Sequence, residues 1–542
     1  MNTPAPSDRH TGALHAQGRS TGHQARGATV SDLLDRAAEL FADRVAIVDG
    51  DHRFTYSAIR EGALAVARGL PTLGVKPGDR VAIWMPNRVE WVIAFFGAVR
   101  AGAVVVPLNT GLVGAEAEYQ LTQSGAVVVV AASSYRARNL AAEAMSIVAA
   151  TGSRVTVISV GESHVSGTVA WKSVANYSES DLGYTPSRDD PIVMLYTSGT
   201  TGLPKGAVHT HRFLDSLLSA ADRMELNADD CIVLYLPLFH VYALMAGLLL
   251  MTAVGAKLVL MTQFDSTKSL ALIEAESATI IYGVPTTYID QLNDPAIDSY
   301  DVSSIRLSIT PFSRDLSERV AARFGYCVNC FGMTETASIA FLPRLNDPPE
   351  IAIGTVGRPL EGLDMRIVNP EDGSPVEPGA AGLLQLRGPQ VMSEYHYKPE
   401  ETAKAFDDDG WFRTGDMAQV DAAGNLTFIG RRSDHFKVGG EYVDPAEVEA
   451  ALQSHPAVER AAVVGVPDDR LGHVTYAWVK LRRTASRDYP ETSAEALIEH
   501  TRSRVAFFKV PRAVYVVEEF PVTPSGKIQK FKLTDSLKDA DR

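Results

Sequence analysis

The sequence predicts an α/β protein: a large N-terminal domain of two parallel-type βα sheets plus a small β-barrel subdomain, followed by a small α+β C-terminal domain. Three observations predict it. Short apolar runs alternate with amphipathic stretches from Ser31 to about Phe341, the pattern of parallel sheets with helices outside. From about Ile353 to Gly430 the runs shorten and Gly/Pro turns separate them, which suits a small barrel. Beyond the charged stretch Gly430-Arg431-Arg432-Ser433-Asp434, helical and strand patterns mix again.

In chain order, residues 1–28 carry no apolar run and are expected as a disordered tail, since a signal peptide needs an apolar centre. The N-terminal domain is expected over 29–430, its β subdomain at about 350–430, a linker at 431–434 and the C-terminal domain at 435–542. Arg44–Val48, Arg80–Met85, Val104–Pro107, Val127–Ala131 and Arg154–Val160 read as strands, with helical runs Tyr56–Leu73 and Val89–Ala101 between them. The alternation resumes with Ile192–Tyr196, Cys231–Leu236, Lys257–Met261, Thr279–Val284 and Ile305–Ile309. Met365–Val368, Gly382–Arg387, Gln419–Val420 and Leu426–Ile429 supply the barrel strands. Pro445–Ser454, Arg460–Gly465, Thr475–Leu481, Ser493–Arg502 and Ala513–Glu518 complete the C-terminal domain. Cys231 to Ala256 runs 26 residues without a charge. Pro237, His240, Gly247 and Gly255 interrupt it, so it reads as a buried strand, a loop and a buried helix rather than a membrane span.

Among 542 residues, 46% are apolar and the net charge is −14. This balance disfavours nucleic acid and anionic membranes, which need clustered Lys and Arg. Three cysteines, Cys231, Cys327 and Cys330, make no disulfide framework and point to a reducing, cytoplasmic setting. Cys327-Val328-Asn329-Cys330 has no second ligand pair in the chain and reads as buried strand.

The chemistry is concentrated in Thr197-Ser198-Gly199-Thr200-Thr201-Gly202-Leu203-Pro204-Lys205-Gly206. Four hydroxyls, three glycines and one lysine follow an apolar strand pattern. Small residues let backbone N–H groups approach an anion, hydroxyls add donors, and the lysine adds charge. This suits a polyphosphate, although Gly206 stands where a Walker loop requires Ser or Thr. Four further segments follow in order: Phe331-Gly332-Met333-Thr334-Glu335, Trp411-Phe412-Arg413-Thr414-Gly415-Asp416, Gly430-Arg431, and Pro521-Val522-Thr523-Pro524-Ser525-Gly526-Lys527-Ile528.

Together these segments resemble the adenylate-forming superfamily of acyl-CoA synthetases, peptide-synthetase adenylation domains and luciferases, closest in pattern to fatty-acid or aryl-acid CoA ligases. The resemblance runs from about Ser31 to Leu537. It implies that Thr197, Ser198, Gly199, Thr200, Thr201, Gly202 and Lys205 hold the β- and γ-phosphates of ATP. Glu335 would ligate Mg²⁺, a hard ion suited to a carboxylate, and Thr334 would contact the α-phosphate. Phe331, in place of the motif's tyrosine, belongs to the same cofactor site. Asp416 would accept the ribose hydroxyls, Arg431 would add a ribose or phosphate contact, and Lys527 would be the catalytic lysine of adenylation. The resemblance also makes the C-terminal domain mobile about a hinge at 431–434, with Ser433 in place of the usual Lys or Asp. Gly439 and Gly440 would pass the pantetheine arm of CoA.

For the acid, the resemblance puts His240 at the pocket mouth, Tyr242 on a wall, and Gly283 and Pro285 on another. Val233–Ala256 carries no charged residue, so an apolar or aromatic acid is expected. The segment Ile305–Ser313 is shorter than the family pattern and lacks its glycines, and Phe312 would narrow the pocket there. Leu384 and Glu394 stand where Glu and Gly are common. The expected partners are the acid, ATP and CoA, with a homodimer as candidate assembly. The alternative keeps adenylation but changes the other partner: nitrite-dependent diazotisation of an aryl amine, or acyl transfer to an amine or carrier protein. A non-catalytic binding protein is disfavoured by the retention of Lys205, Glu335, Asp416 and Lys527.

Overall fold

In the computed structural model, residues 26–163, 165–178, 183–197, 203–310, 314–370, 372–377, 379–431, 436–443, 445–482, 492–521, 528, 530, 533 and 537 are described. Two large sheets form the N-terminal part. One has seven strands in the order Cys327–Asn329, Leu307–Thr310, Ile280–Tyr282, Cys231–Leu234, Lys257–Leu260, Val45–Asp49 and His52–Thr55. All its pairings are parallel except the closing hairpin of Val45–Asp49 with His52–Thr55. The other has eight strands: Glu394–Tyr395, Lys205–Thr210, Pro191–Thr197, Val104–Pro107, Arg80–Trp84, Ala126–Ala132, Thr156–Val160 and Val169–Ala170. Apolar runs with flanking amphipathic helices produce this topology because both faces of a parallel sheet must be covered.

The helix Val89–Arg100 buries nine of its residues, among them Trp91, Phe95 and Phe96. A helix apolar all round belongs inside, and it joins the strands of both sheets in one continuous core. No helix among the described residues is long and apolar enough to cross a membrane. The uncharged run instead supplies the strand Cys231–Leu234, a π-helix at Tyr242–Leu249 and a short α-helix at Leu250–Val254.

The strand expected to reach Leu236 stops at Leu234 because a side chain replaces the ladder. Asn87 Nδ2 donates to the carbonyls of Leu234 and Leu236 at 3.2 and 2.9 Å, and its Oδ1 accepts the Leu238 N–H at 2.7 Å. This buried amide ties the end of one sheet to the loop leaving the other.

The segment after Phe331 forms a three-stranded sheet (Phe331–Met333, Ser338–Leu342, Arg358–Pro359) and a four-stranded antiparallel sheet (Asp364–Val368, Gly382–Arg387, Phe412–Val420, Leu426–Arg431). Phe331 and Phe341 share one core with Leu363, Leu384, Leu386, Ala418 and Leu426. Leu384 is fully buried there. The C-terminal domain is a five-stranded sheet with helices Pro445–Gln453 and Ala494–Arg502. Alternate residues of its edge strand Val458–Asp468 face different cores: Ala461 and Val463 join Phe436 and Val448, whereas Ala462 and Val464 join Trp478 and Phe520. The three cysteines are free and buried.

Candidate active site

Strand Pro191–Thr197 turns back antiparallel as Lys205–Thr210, with Thr197 opposite Lys205. The phosphate-type loop is therefore a hairpin connection, and its two described ends stand side by side. Ser198, Gly199, Thr200, Thr201 and Gly202 lie outside the described residues. Lys205 Nζ sits 5.0 Å from the centre of the Tyr395 ring, and the Tyr395 hydroxyl donates to Glu335 Oε1 at 2.8 Å. Tyr395 thus links the lysine and carboxylate that sequence motifs place apart. Its strand Glu394–Tyr395 pairs with Lys205–Thr210, a pairing with no motif signal of its own.

The turn carrying Thr334 and Glu335 is fixed from several sides. Gly332 is obligatory: a Cβ there would lie 1.7 Å from the Ser338 carbonyl oxygen of the paired strand. Ala337 and Ser338 take φ of 48° and 84°, values that side-chain-bearing residues adopt at a cost of about 1–3 kcal/mol and that cluster at functional turns. The Met392 N–H donates to the Glu335 carbonyl at 2.8 Å, and His209 Nε2–H donates to the Thr334 carbonyl at 2.7 Å. Burial pushes the His209 pKa down to about 4, so the ring is neutral and one nitrogen remains committed as this donor. Glu335 is 7% exposed. A nearly dry carboxylate beside Thr197 and Lys205 fits Mg²⁺, which takes one or two carboxylates and fills its remaining positions with waters and substrate phosphates.

Asp416 is buried, and its strand neighbour across the ladder is Arg431. Thr414 holds this stretch, donating from Oγ1 to the Leu384 carbonyl at 2.8 Å and accepting the Asp416 N–H at 3.0 Å. Phe331 packs edge-on to Phe341 and 5.7 Å from Phe428.

On the acyl side, Tyr242 opens the π-helix and stacks on Tyr282 at 5.5 Å and 10°. Burial raises both phenol pKa values, so both stay protonated. Gly283 lets Tyr288 pass beneath it to donate to the Ile281 and Ile309 carbonyls, both at 3.2 Å. Pro285 starts the helix Pro285–Leu292. Phe312 lies outside the described residues, as do Ser433 and Lys527.

The C-terminal domain closes the site. His240 Nε2–H donates to Glu441 Oε1 at 2.6 Å, and Arg470 forks onto both oxygens of Asp290 at 2.5 and 2.6 Å. Gly439 and Gly440, with φ of 59° and 88°, form the turn between strands Phe436–Val438 and Glu441–Val443. A Cβ on Gly440 would come 3.2 Å from the Val284 side chain. A cavity of about 140 Å³ lies between Thr197, Thr334, Glu335, His240 and Glu441. It adjoins a cleft of about 1240 Å³ through shared walls at Asn109, Phe239, Glu441 and Phe508. That cleft runs between the domains past Val284, Thr286 and Gly439 to Arg136, Arg502 and Arg512.

Comparison with known proteins decides the family. The family model described as AMP-binding enzyme matches residues 34–396, and the AMP-binding enzyme C-terminal domain matches 447–527. The chain belongs to the AMP-binding enzyme family. This AMP-binding enzyme is 34% identical to a putative acyl-CoA synthetase, YngI, of Bacillus subtilis (strain 168), over 94% of this chain and 96% of that one. It is 35% identical to 3-[(3aS,4S,7aS)-7a-methyl-1,5-dioxo-octahydro-1H-inden-4-yl]propanoyl:CoA ligase of Mycobacterium tuberculosis, covering 94% and 98%. Its fold matches the o-succinylbenzoate CoA synthetase (MenE) of Bacillus subtilis bound to a product analogue, with TM-score 0.80, 29% identity and coverage of 93% and 98%. The AMP-binding enzyme is an AMP-forming ligase, and its acyl-CoA synthetase and CoA ligase homologues imply ATP and CoA as the small molecules it works with.

Proposed function

We propose that this enzyme activates a carboxylic acid with an apolar or aromatic body as its acyl-AMP and then transfers the acyl group to CoA. The observation that carries the reading is the docked Gly439–Gly440 turn, with Glu441 on His240, at the junction between the small cavity and the long interdomain cleft. A thiol on a long flexible arm needs such a passage. The large TM-score to a ligase bound to a CoA product analogue supports it.

In the first step a carboxylate oxygen attacks the α-phosphorus, a P–O bond forms, and pyrophosphate leaves with its bonding electrons. Glu335 would hold Mg²⁺, which would supply charge neutralisation on the phosphate oxygens. Lys205, Thr197 and Thr334 orient the triphosphate, Asp416 holds the ribose, and Lys527 stabilises the charge that builds on the α-phosphate. In the second step the sulfur attacks the acyl carbon, the C–S bond forms, AMP leaves with the electrons of the C–O bond, and the thiol proton passes to solvent. Ile528, the neighbour of Lys527, packs with Ala462, Val464 and Trp478, on the face opposite Ala461 and Val463. Serving both steps therefore calls for rotation of the C-terminal domain.

The test is pyrophosphate release and thioester formation across aryl and medium-chain acids with ATP and Mg²⁺, with and without CoA. Thioester appearing with at least one acid is the expected result. Adenylate without thioester for every acid overturns the CoA assignment, and nitrite-dependent AMP release with an aminoaryl acid would replace it.

A further inference from the structure

One buried charge cluster bridges the domains: Lys509 and Glu447 share the wall of the small cavity with Thr197, Thr334 and Glu335, and Glu116 lies behind them, outside that wall. Lys509, in the loop after helix Ala494–Arg502, places Nζ 2.7 Å from Glu447 Oε1 in its own domain. The same nitrogen lies 3.1 Å from Glu116 Oε1 in the N-terminal domain, and the Ala506 N–H donates to that oxygen at 3.0 Å. The Lys509, Glu116 and Glu447 side chains are 8%, 8% and 12% exposed. The second Glu116 oxygen accepts the Val113 N–H at 3.1 Å, closing the first turn of helix Gly114–Ser124. Glu116 therefore caps its own helix and receives two donors from the other domain. None of its contacts is to a residue assigned to ATP, acid or thiol.

Two carboxylates and one ammonium in a nearly dry site are stable only while the geometry is complete, because an unpaired buried charge costs several kcal/mol. Burial works against the Lys509 ammonium, yet Glu447 and Glu116 hold its pKa above the ordinary lysine value. Burial pushes the Glu447 carboxyl above the ordinary glutamate range, and the Lys509 ammonium works against that rise. Removing Glu116 from this group, as any rotation of the C-terminal domain would, leaves Lys509 with Glu447 alone and returns Glu116 to water.

We propose that Glu116 is a positioning residue for the thiol-transfer step, latching the C-terminal domain in the docked pose through Lys509 and Ala506, and that it has no part in adenylation. This rests on the two-step reading above. The test is Glu116→Gln, which keeps a side-chain acceptor at a helix position where Gln serves as well as Glu but removes the charge facing Lys509. Pyrophosphate release in the absence of CoA should stay within about twofold of wild type, while single-turnover thioester formation from preformed adenylate at saturating CoA falls about tenfold or more. Lys509→Met in the same background should add less than it does alone, because the two residues share one interaction. An equal fall in both half-reactions marks Glu116 as merely structural and overturns the proposal, as does an unchanged thioester rate. If wild type itself forms adenylate but no thioester, the two-step reading fails instead.

Discussion

His240 and Glu441 belong to different domains, 201 positions apart, and share a hydrogen bond of 2.6 Å. The carboxylate arrives on the hairpin that carries Gly439 and Gly440, so it holds the ring in the wall of the small cavity only when the C-terminal domain is docked. The orientation of the His240 ring is thereby tied to domain position.

Glu441→Ala should slow thioester formation by about tenfold, the worth of a hydrogen bond to a charged group at 1.5–3 kcal/mol discounted for partial exposure. Adenylation, measured as pyrophosphate release without CoA, should change little. A parallel loss in both steps would show that the contact matters to folding and not to the docked pose.

Gly440→Val should act on the same step by a different cause. Gly440 has φ of 88° and a Cβ would already press on Val284 at 3.2 Å, and a β-branched side chain tolerates neither. Thioester turnover should drop by about tenfold or more, with adenylation retained. Comparison of the two half-reactions in one preparation checks it.

Tyr395→Phe removes one hydrogen bond to Glu335 and keeps the ring under Lys205. Loss of a bond to a carboxylate predicts about a tenfold fall in adenylation. The Mg²⁺ concentration giving half-maximal rate should rise as well. An unchanged Mg²⁺ requirement would separate Tyr395 from metal binding.

The histidines His209 and His211 are buried, and burial lowers each pKa to about 4. Their ordinary value near 6.5 applies in the unfolded chain. Folding stability is therefore full above about pH 6.5 and is lost as the pH falls toward 4, because the unfolded chain binds protons there and the folded one does not. Each histidine contributes a slope of up to about 1.4 kcal/mol per pH unit in that window. Denaturant midpoints measured between these limits should show a shallower acid slope for His209→Gln than for wild type.

Much of this molecule was legible in residue pattern. The alternation of apolar runs gave both large sheets, and strand limits mostly fell within two residues because Val- and Ile-rich runs and turn residues are local signals. What escaped were features set by partners distant in sequence. Asn87 ends the Cys231–Leu234 strand from another sheet, and Tyr395 reaches Glu335 by way of a strand of two residues. The His209 hydrogen bond and the Glu116 cluster are likewise pairings of ordinary residues that become significant only when folding brings them together. Motif order singled out Glu335 and Asp416, which the structure places buried at their turns. The residues 198–202, 311–313 and 522–527 lie outside the described set, and their roles rest on motif alone.

The strand Val458–Asp468 sends successive side chains to two different cores, which makes the C-terminal domain a two-sided tool on a single mount. On the two-step reading proposed above, only one side would occupy the mouth at a time, so the half-reactions would exclude one another mechanically. A reactive mixed anhydride formed on one side would exchange one lid for another rather than wait uncovered. Order of addition would then follow from the shape of one sheet.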